Sequence, residues 1–228
     1  MLITLPDVLT PDAAAQMRRR LETAGDAWVD GRATAGYSGA PVKDNQQIAE
    51  GSPVARELGD AVLASLERNP RFISAVLPNK VYPPLFNRYQ GGQHFGGHVD
   101  GAIRLIPGHG ARVRTDVSIT LFLTPPEDYD GGELVVEDAY GTHEAKLPAG
   151  HAVVYPATSV HHVRPVTRGV RLGCFFWVQS LVRTDAQRAL LFDMDNAIQR
   201  LNASGADDVA RRTLVGCYHN LLREFSDT

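Results

Sequence analysis

Two cysteines in 228 residues, Cys174 and Cys217, are too few for a disulfide framework, and they lack the paired spacing of a structural zinc site. Both are expected to be buried small hydrophobes. No apolar run approaches the ~18 residues of a membrane span. The stretch MLITLPDVLT carries no basic leader ahead of its apolar residues and is interrupted early by Pro6 and Asp7. The expectation is a soluble, cytoplasmic protein with no membrane partner. Positive charge is not in excess either: 23 Lys and Arg against 26 Asp and Glu leave a formal net charge of -3, which argues against a dedicated nucleic-acid binder. Internal repeats and low-complexity tracts are missing too. What remains is a chain long enough to bury an apolar core without a staple.

The pattern divides the chain in three. TPDAAAQMRRRLETA, residues 10–24, predicts a helix, with Thr10 as cap, Pro11 in the first turn, and Ala14, Met17 and Leu21 on one face. SPVARELGDAVLASLERNP, from residue 52, predicts a second, with Ser52 as cap, Val54, Leu58, Val62 and Leu66 as its apolar stripe, and Asn69-Pro70 as its stop. From about residue 80 the texture changes to short apolar or alternating runs broken by Gly and Pro, such as LFNRYQ, DVSITLFLT, HAVVYPA and VRLGCFFWVQSL, the signature of antiparallel strands in a sandwich or barrel-like roll. After Val182, RTDAQRALLFDMDNAIQRL and GADDVARRTLVGCYHNLLREF are helical again; their stripes need the roll or a second subunit to cover them. The division is an N-terminal helical scaffold over 1–77, a β domain over 78–181 and a C-terminal helical extension over 182–228.

Chemistry concentrates in GQHFGGHVDG, residues 92–101. On a strand, side chains two apart share a face, so His98 and Asp100 would project an imidazole and a carboxylate together. The glycines before them clear that face and permit tight turns. A third ligand is needed, and YPATSVHHVRPV offers His161 and His162. Two His and one carboxylate with open positions form the facial triad of non-haem Fe(II) oxygenases, although zinc binds the same donors. Arg171 lies ten residues beyond His161 on a run where Arg171, Gly173, Phe175 and Trp177 alternate onto one face. An arginine aimed into an apolar pocket is costly to desolvate without an anion, whereas a carboxylate ligand pairs with it bidentately for roughly 1.5–3 kcal/mol.

The HxD pair, the distal His and the Arg ten residues after it resemble the Fe(II)- and 2-oxoglutarate-dependent dioxygenases of the prolyl 4-hydroxylase type. PPLFNRYQGGQHFGGHVD, YDGGELVVED and YPATSVHHVRPVTRGVRLGCFFWVQSL resemble the bacterial PKHD-type hydroxylases more closely, in order, over about residues 78–181, and the C-terminal helices look like that family's tail. The resemblance implies a mainly β fold with flanking helices (α+β), built on a double-stranded β-helix, or jelly roll, with Fe(II) at its open end. It implies His98, Asp100 and His161 as metal ligands, the ten-residue step selecting His161 over His162, and Arg171 as anchor for the C5 carboxylate of 2-oxoglutarate. It implies an oxidoreductase that consumes O2 and 2-oxoglutarate, hydroxylates a small-molecule or peptide C–H and releases succinate and CO2, with L-ascorbate (vitamin C) as helper.

Tyr89, nine residues before His98, resembles a tyrosine that related enzymes aim at 2-oxoglutarate; its other reading is an aromatic core residue with its hydroxyl at the rim. Trp177 is read as core. The stretch GAIRLIPGHGARVRTD carries Arg104, Arg112 and Arg114 with no acid between Asp100 and Asp116, and is read either as a lid for an anionic substrate or as a solvated loop. His94, His109, His143, His151 and His219 lack ligand spacing and are read as surface or hydrogen-bonded residues. Two competing functions are a jelly-roll sensor of metal or 2-oxo acid without turnover, which needs no Arg171, and a cupin-like zinc hydrolase, against which Arg171 counts. A homo-oligomer through the C-terminal helices is the expected assembly.

Overall fold

The computed structural model describes residues 1–36, 39–139, 141–205 and 207–227. The two helices before the roll form as their caps dictate. In α1 (Pro11–Glu22) the Thr10 hydroxyl accepts from the Ala13 amide, and Ala14, Met17 and Leu21 are buried. In α2 (Pro53–Leu66) Ser52 accepts from Ala55, and the predicted stripe is buried. Asn69-Pro70 ends α2 but also starts α3 (Pro70–Val76), because the Asn69 carboxamide caps the Phe72 amide and Pro70 fits the first helical position.

All strand pairs are antiparallel and lie in two facing sheets plus a hairpin. The larger sheet runs β1 (Ile3–Leu5), β14 (Ala152–Pro156), β10 (Val117–Phe122), β16 (Val166–Ser180), β6 (Leu85–Gln90), β4 (Gln46–Ile48) and β2 (Trp28–Asp30). The long β16 also pairs with β5 (Pro78–Val81) and β11 (Tyr129–Gly131). The smaller sheet runs β13 (Gly141–Ala145), β12 (Leu134–Asp138), β15 (Val160–Val163), β7 (His94–His98) and β3 (Lys43–Asp44). The two sheets make the jelly roll, and helices flank it.

Alternation along β16 separates two interiors. Leu172, Cys174, Phe176 and Val178 pack into the main apolar core with α1, α2 and α3, while Arg171, Phe175 and Trp177 line a cavity between the sheets. Gly91 and Gly92, both with positive φ, carry the chain from β6 in one sheet to β7 in the other, so Tyr89 and His98 face the same space from opposite walls.

Two expectations need correction. The segment 1–77 is not only a helical scaffold: β1, β2 and β4 extend the larger sheet at both edges and β3 extends the smaller one. Its strands escaped notice because they are only two or three residues long, too short to show an alternation. Cys174 is buried, but Cys217 is exposed on α5 (Asp208–Phe225). The 101–116 stretch, read as a lid or a solvated loop, is a largely exposed hairpin in which β8 (Ile103–Leu105) pairs with β9 (Arg112–Arg114) and the tip holds Gly108 and Gly110 at positive φ. α4 (Asp185–Ser204) and α5 close the chain, packing Tyr218, Leu221, Leu222 and Phe225 against Leu77, Val182 and Leu191.

Candidate metal centre

β15 and β7 are neighbours, and their register sets His161 opposite His98, with ring centroids 4.3 Å apart. Asp100 lies two residues past the end of β7, so the strand-face argument does not account for its direction. Its carboxylate is instead fixed from the other sheet, where the buried Ser118 hydroxyl on β10 donates to Oδ2 at 2.5 Å. The three side chains offer ligand atoms that all lie within 4.8 Å of one another, with His161 Nε2 3.8 Å from Asp100 Oδ2. No other such trio occurs among the described residues.

Both imidazoles are prepared in the same way. His98 Nδ1 sits 2.8 Å from the Gly96 carbonyl and His161 Nδ1 3.1 Å from the Ser159 carbonyl, so each Nδ1–H donates to backbone and each Nε2 keeps a free lone pair toward the cluster. Burial, helped by His161 and Lys43 nearby, pushes His98 below the usual histidine range and favours the neutral form that a metal requires. Phe95 stacks on His98 at 3.7 Å and Tyr155 packs edge-on against His161, fixing both ring planes.

Arg171 is 1% exposed, paired across the sheet with Tyr89. Its guanidinium carbon stands 5.3 Å from the Tyr89 ring centroid and 5.2 Å from that of Phe122. Gly132, with φ +68°, leaves the room it needs, since a Cβ there would come within 2.8 Å of Arg171 Cδ. Among the described residues, Arg171 Nε and Nη2 have no hydrogen-bond partner, and neither does the nearby Asn87 Oδ1. A buried guanidinium with two idle nitrogens is costly unless a ligand supplies acceptors. Its planar fork matches a carboxylate, and the nitrogen and oxygen donors of the trio match Fe(II). The residues present therefore fit an iron ion and a 2-oxo diacid. A cavity of about 240 Å³ is lined by the trio together with Arg171, Tyr89 and Asn87.

The remaining predicted residues sort cleanly. His162 points away, with Nδ1 3.9 Å from Glu137. His94 lies outside the trio beside the Gly92 carbonyl, His143 pairs with Asp138 and His151 with Asp7. Trp177 is both buried and part of the cavity wall. Arg114 is bound by Asp116 and Asp227 and is structural. Arg104 folds back over Tyr82 and Trp177, 4.9 and 4.4 Å from their ring centroids, and its Nη2 lies 3.5 Å from Glu50.

Sequence reasoning missed Lys43 and Ser118. KDNQQ shows no hydropathy period, yet Lys43, Asn45 and Gln47 are all buried on the inner side while Asp44 is exposed. The signal was polar residues at period two, which hydropathy cannot register. Ser118 sits in a uniformly buried strand where a serine looks like filler.

Two family profiles match the chain: the 2OG-Fe(II) oxygenase superfamily over residues 84–179 and the PKHD-type hydroxylase C-terminal domain over residues 185–227. A PKHD-type hydroxylase of Paraburkholderia phymatum is 75% identical over 228 residues, covering 100% of both chains, and one from Bordetella pertussis is 57% identical over 227 residues, again with 100% of each covered. Among solved structures, a Trichoplax adhaerens prolyl hydroxylase in complex with a hypoxia inducible factor peptide fragment superposes with TM-score 0.56 at 14% identity, covering 83% of this chain and 86% of that one. A Pseudomonas putida prolyl-4-hydroxylase superposes with TM-score 0.50 at 21% identity, covering 78% and 92%.

Proposed function

The chain belongs to the PKHD-type hydroxylases of the 2OG-Fe(II) oxygenase superfamily and is a 2-oxoglutarate- and Fe(II)-dependent dioxygenase; we propose that His98, Asp100 and His161 hold its iron and that Arg171 anchors its 2-oxoglutarate. The single observation that carries this assignment is the buried, partnerless edge of Arg171 in the same cavity as the trio.

Iron bound there with 2-oxoglutarate and O2 supplies the oxidation, which leaves a hydroxylated substrate, succinate and CO2. The chain's own residues position and protect. The Gly96 and Ser159 carbonyls hold the two imidazoles in the tautomer that presents Nε2, and Ser118 holds the Asp100 carboxylate. Arg171 fixes the far carboxylate of the keto acid, which orients its reactive end before O2 arrives. Leu134, Tyr155 and Val163 wall the cavity with apolar surface and keep water from the reacting centre. Tyr89 completes the keto-acid end, its ring against the guanidinium.

The finer parts of the proposal rest on the family resemblance and on composition. Ascorbate would be the reductant the resemblance implies for such an iron, and the partner is a small molecule or peptide, with no nucleic acid, as the net charge of -3 suits. Among the described residues no helix is long and apolar enough to cross a membrane, which is compatible with a cytoplasmic site of action. The working boundaries are the jelly roll at 78–181, the segment 1–77 that lends it four strands, and the extension 182–228. Self-association through α4 and α5 fits the exposed Leu190 and Val209 on them.

Anaerobic addition of Fe(II) and 2-oxoglutarate tests the assignment. The weak visible charge-transfer band of a chelated keto acid is expected in the wild type, and His161→Ala is expected to lose both bound iron and band. Full iron retention by His161→Ala removes that residue from the ligand set.

A further inference from the structure

The cavity mouth carries two cations, and only one of them is matched. Arg104 has Glu50 at 3.5 Å and the Thr34 carbonyl at 3.3 Å, and its guanidinium carbon stands over the Trp177 ring. Lys43 is 5% exposed and meets only neutral acceptors, Gln47 Oε1 at 2.9 Å and Thr34 Oγ1 at 3.2 Å. Among the described residues it makes no ion pair, and its ammonium stands over the rings of Phe95 and Phe175 at 5.1 and 5.6 Å. An ammonium has three donors, and two hydrogen bonds leave one for the cavity that Lys43, Phe95 and Phe175 line.

Charge balance points the same way. With iron and 2-oxoglutarate in place, the metal and Arg171 offset Asp100 and the two carboxylates of the keto acid, while Glu50 offsets Arg104. The charge of Lys43 is left over, in a site where burial already pushes the ammonium down to about 8. Methionine would fill the same volume without that cost, so the lysine is retained against stability. Aromatic and apolar walls on either side suit a flat or apolar body attached to the anion.

We propose that Lys43 determines the substrate class: the prime substrate carries a carboxylate that pairs with the Lys43 ammonium while its apolar body lies between Phe95, Phe175 and Trp177. This rests on the keto-acid reading of Arg171, and the test separates the two. The anaerobic complex of the full chain with Fe(II) and 2-oxoglutarate is titrated by calorimetry with two matched pairs, phenylacetate against phenylacetamide and N-acetylphenylalanine against its amide. At least one acid is expected to bind about tenfold or more tighter than its amide, the free acid standing for a small metabolite and the acylated one for a peptide end. Lys43→Met is expected to erase that preference while leaving the 2-oxoglutarate band and its midpoint unchanged. Acids that bind no better than their amides in the wild type overturn the proposal without any variant. A Lys43→Met protein that loses 2-oxoglutarate instead would assign the lysine to the co-substrate and overturn it as well. Absence of the band in the wild type, seen before any probe is added, overturns the keto-acid reading itself and the proposal with it.

Discussion

Arg188 and Arg171 are buried to 2% and 1% exposure, one at the junction of β16 with α4 and one on the floor of the roll. Arg188 spends its donors on the Val182 and Arg183 carbonyls, both at 2.8 Å, and on Asp185 at 3.1 Å, and so stitches the first turn of α4 to the end of the sheet. Arg171 has aromatic rings on its faces and, among the described residues, no hydrogen-bond partner on Nε or Nη2. Equal burial thus hides opposite states: one guanidinium is satisfied by the fold, and the other is left open to the ligand proposed for it. Which of its donors are idle, rather than how deep it lies, tells a structural charge from a functional one.

Exchanging each for methionine should pull the two apart. Arg171→Met is expected to weaken 2-oxoglutarate by about a hundredfold or more, in a band titration, while the melting temperature of the iron-free protein stays level or rises, because an unpaired buried charge has been removed. Arg188→Met should do the reverse. Losing three hydrogen bonds and stranding two carbonyls costs roughly 3 kcal/mol, visible in denaturant midpoints, with keto-acid affinity unchanged. Comparable loss of 2-oxoglutarate binding in both variants would erase the distinction.

Lys43 lies between these extremes, hydrogen-bonded yet, among the described residues, without an ion-pair partner, and its cost should depend on pH. Burial lowers its folded value from 10.5 to about 8, so between those limits the unfolded chain holds the proton that the folded apoprotein has shed. Stability therefore rises with pH across that window, and the penalty is present in full below it. Lys43→Met lacks the penalty. It should be more stable than wild type near neutrality by about 2 kcal/mol, allowing for the two hydrogen bonds lost, and that advantage should close as pH climbs from about 8 to 10.5. An advantage that stays constant over the window would mean the lysine does not titrate there.

The same contrast explains what was legible in the sequence. Caps and apolar stripes named α1 and α2 because local chemistry decides them, and alternation along VRLGCFFWVQSL separated the cavity face of β16 from its core face. The trio and Arg171 could be read because their residue types are costly to place anywhere else. Asp100 was placed for the wrong reason: it lies beyond the strand and is steered by Ser118 from the other sheet, a contact between residues far apart in order. Lys43 stayed hidden because β3 and β4 turn polar residues inward. This inverts the pattern on which strand reading depends, and it happens where a ligand completes the interior.

Tyr89 offers the finest division of the comparison, between a ring that only covers Arg171 and a hydroxyl that joins it in holding the keto acid. The ring is buried against the guanidinium, and its oxygen meets the Asn45 side chain and Asn87 Nδ2, the latter at 3.5 Å, a length at which little energy is committed. Asn87 Oδ1 beside it has no partner. A hydroxyl so weakly held, next to an idle acceptor and an idle guanidinium edge, is available to a carboxylate. Tyr89→Phe keeps the ring and removes only that donor. It should weaken 2-oxoglutarate by about two- to tenfold, the value of one neutral hydrogen bond, with iron affinity and melting temperature unchanged. An unaltered band midpoint would return Tyr89 to the role of packing, and Arg171 would then hold the distal carboxylate without it.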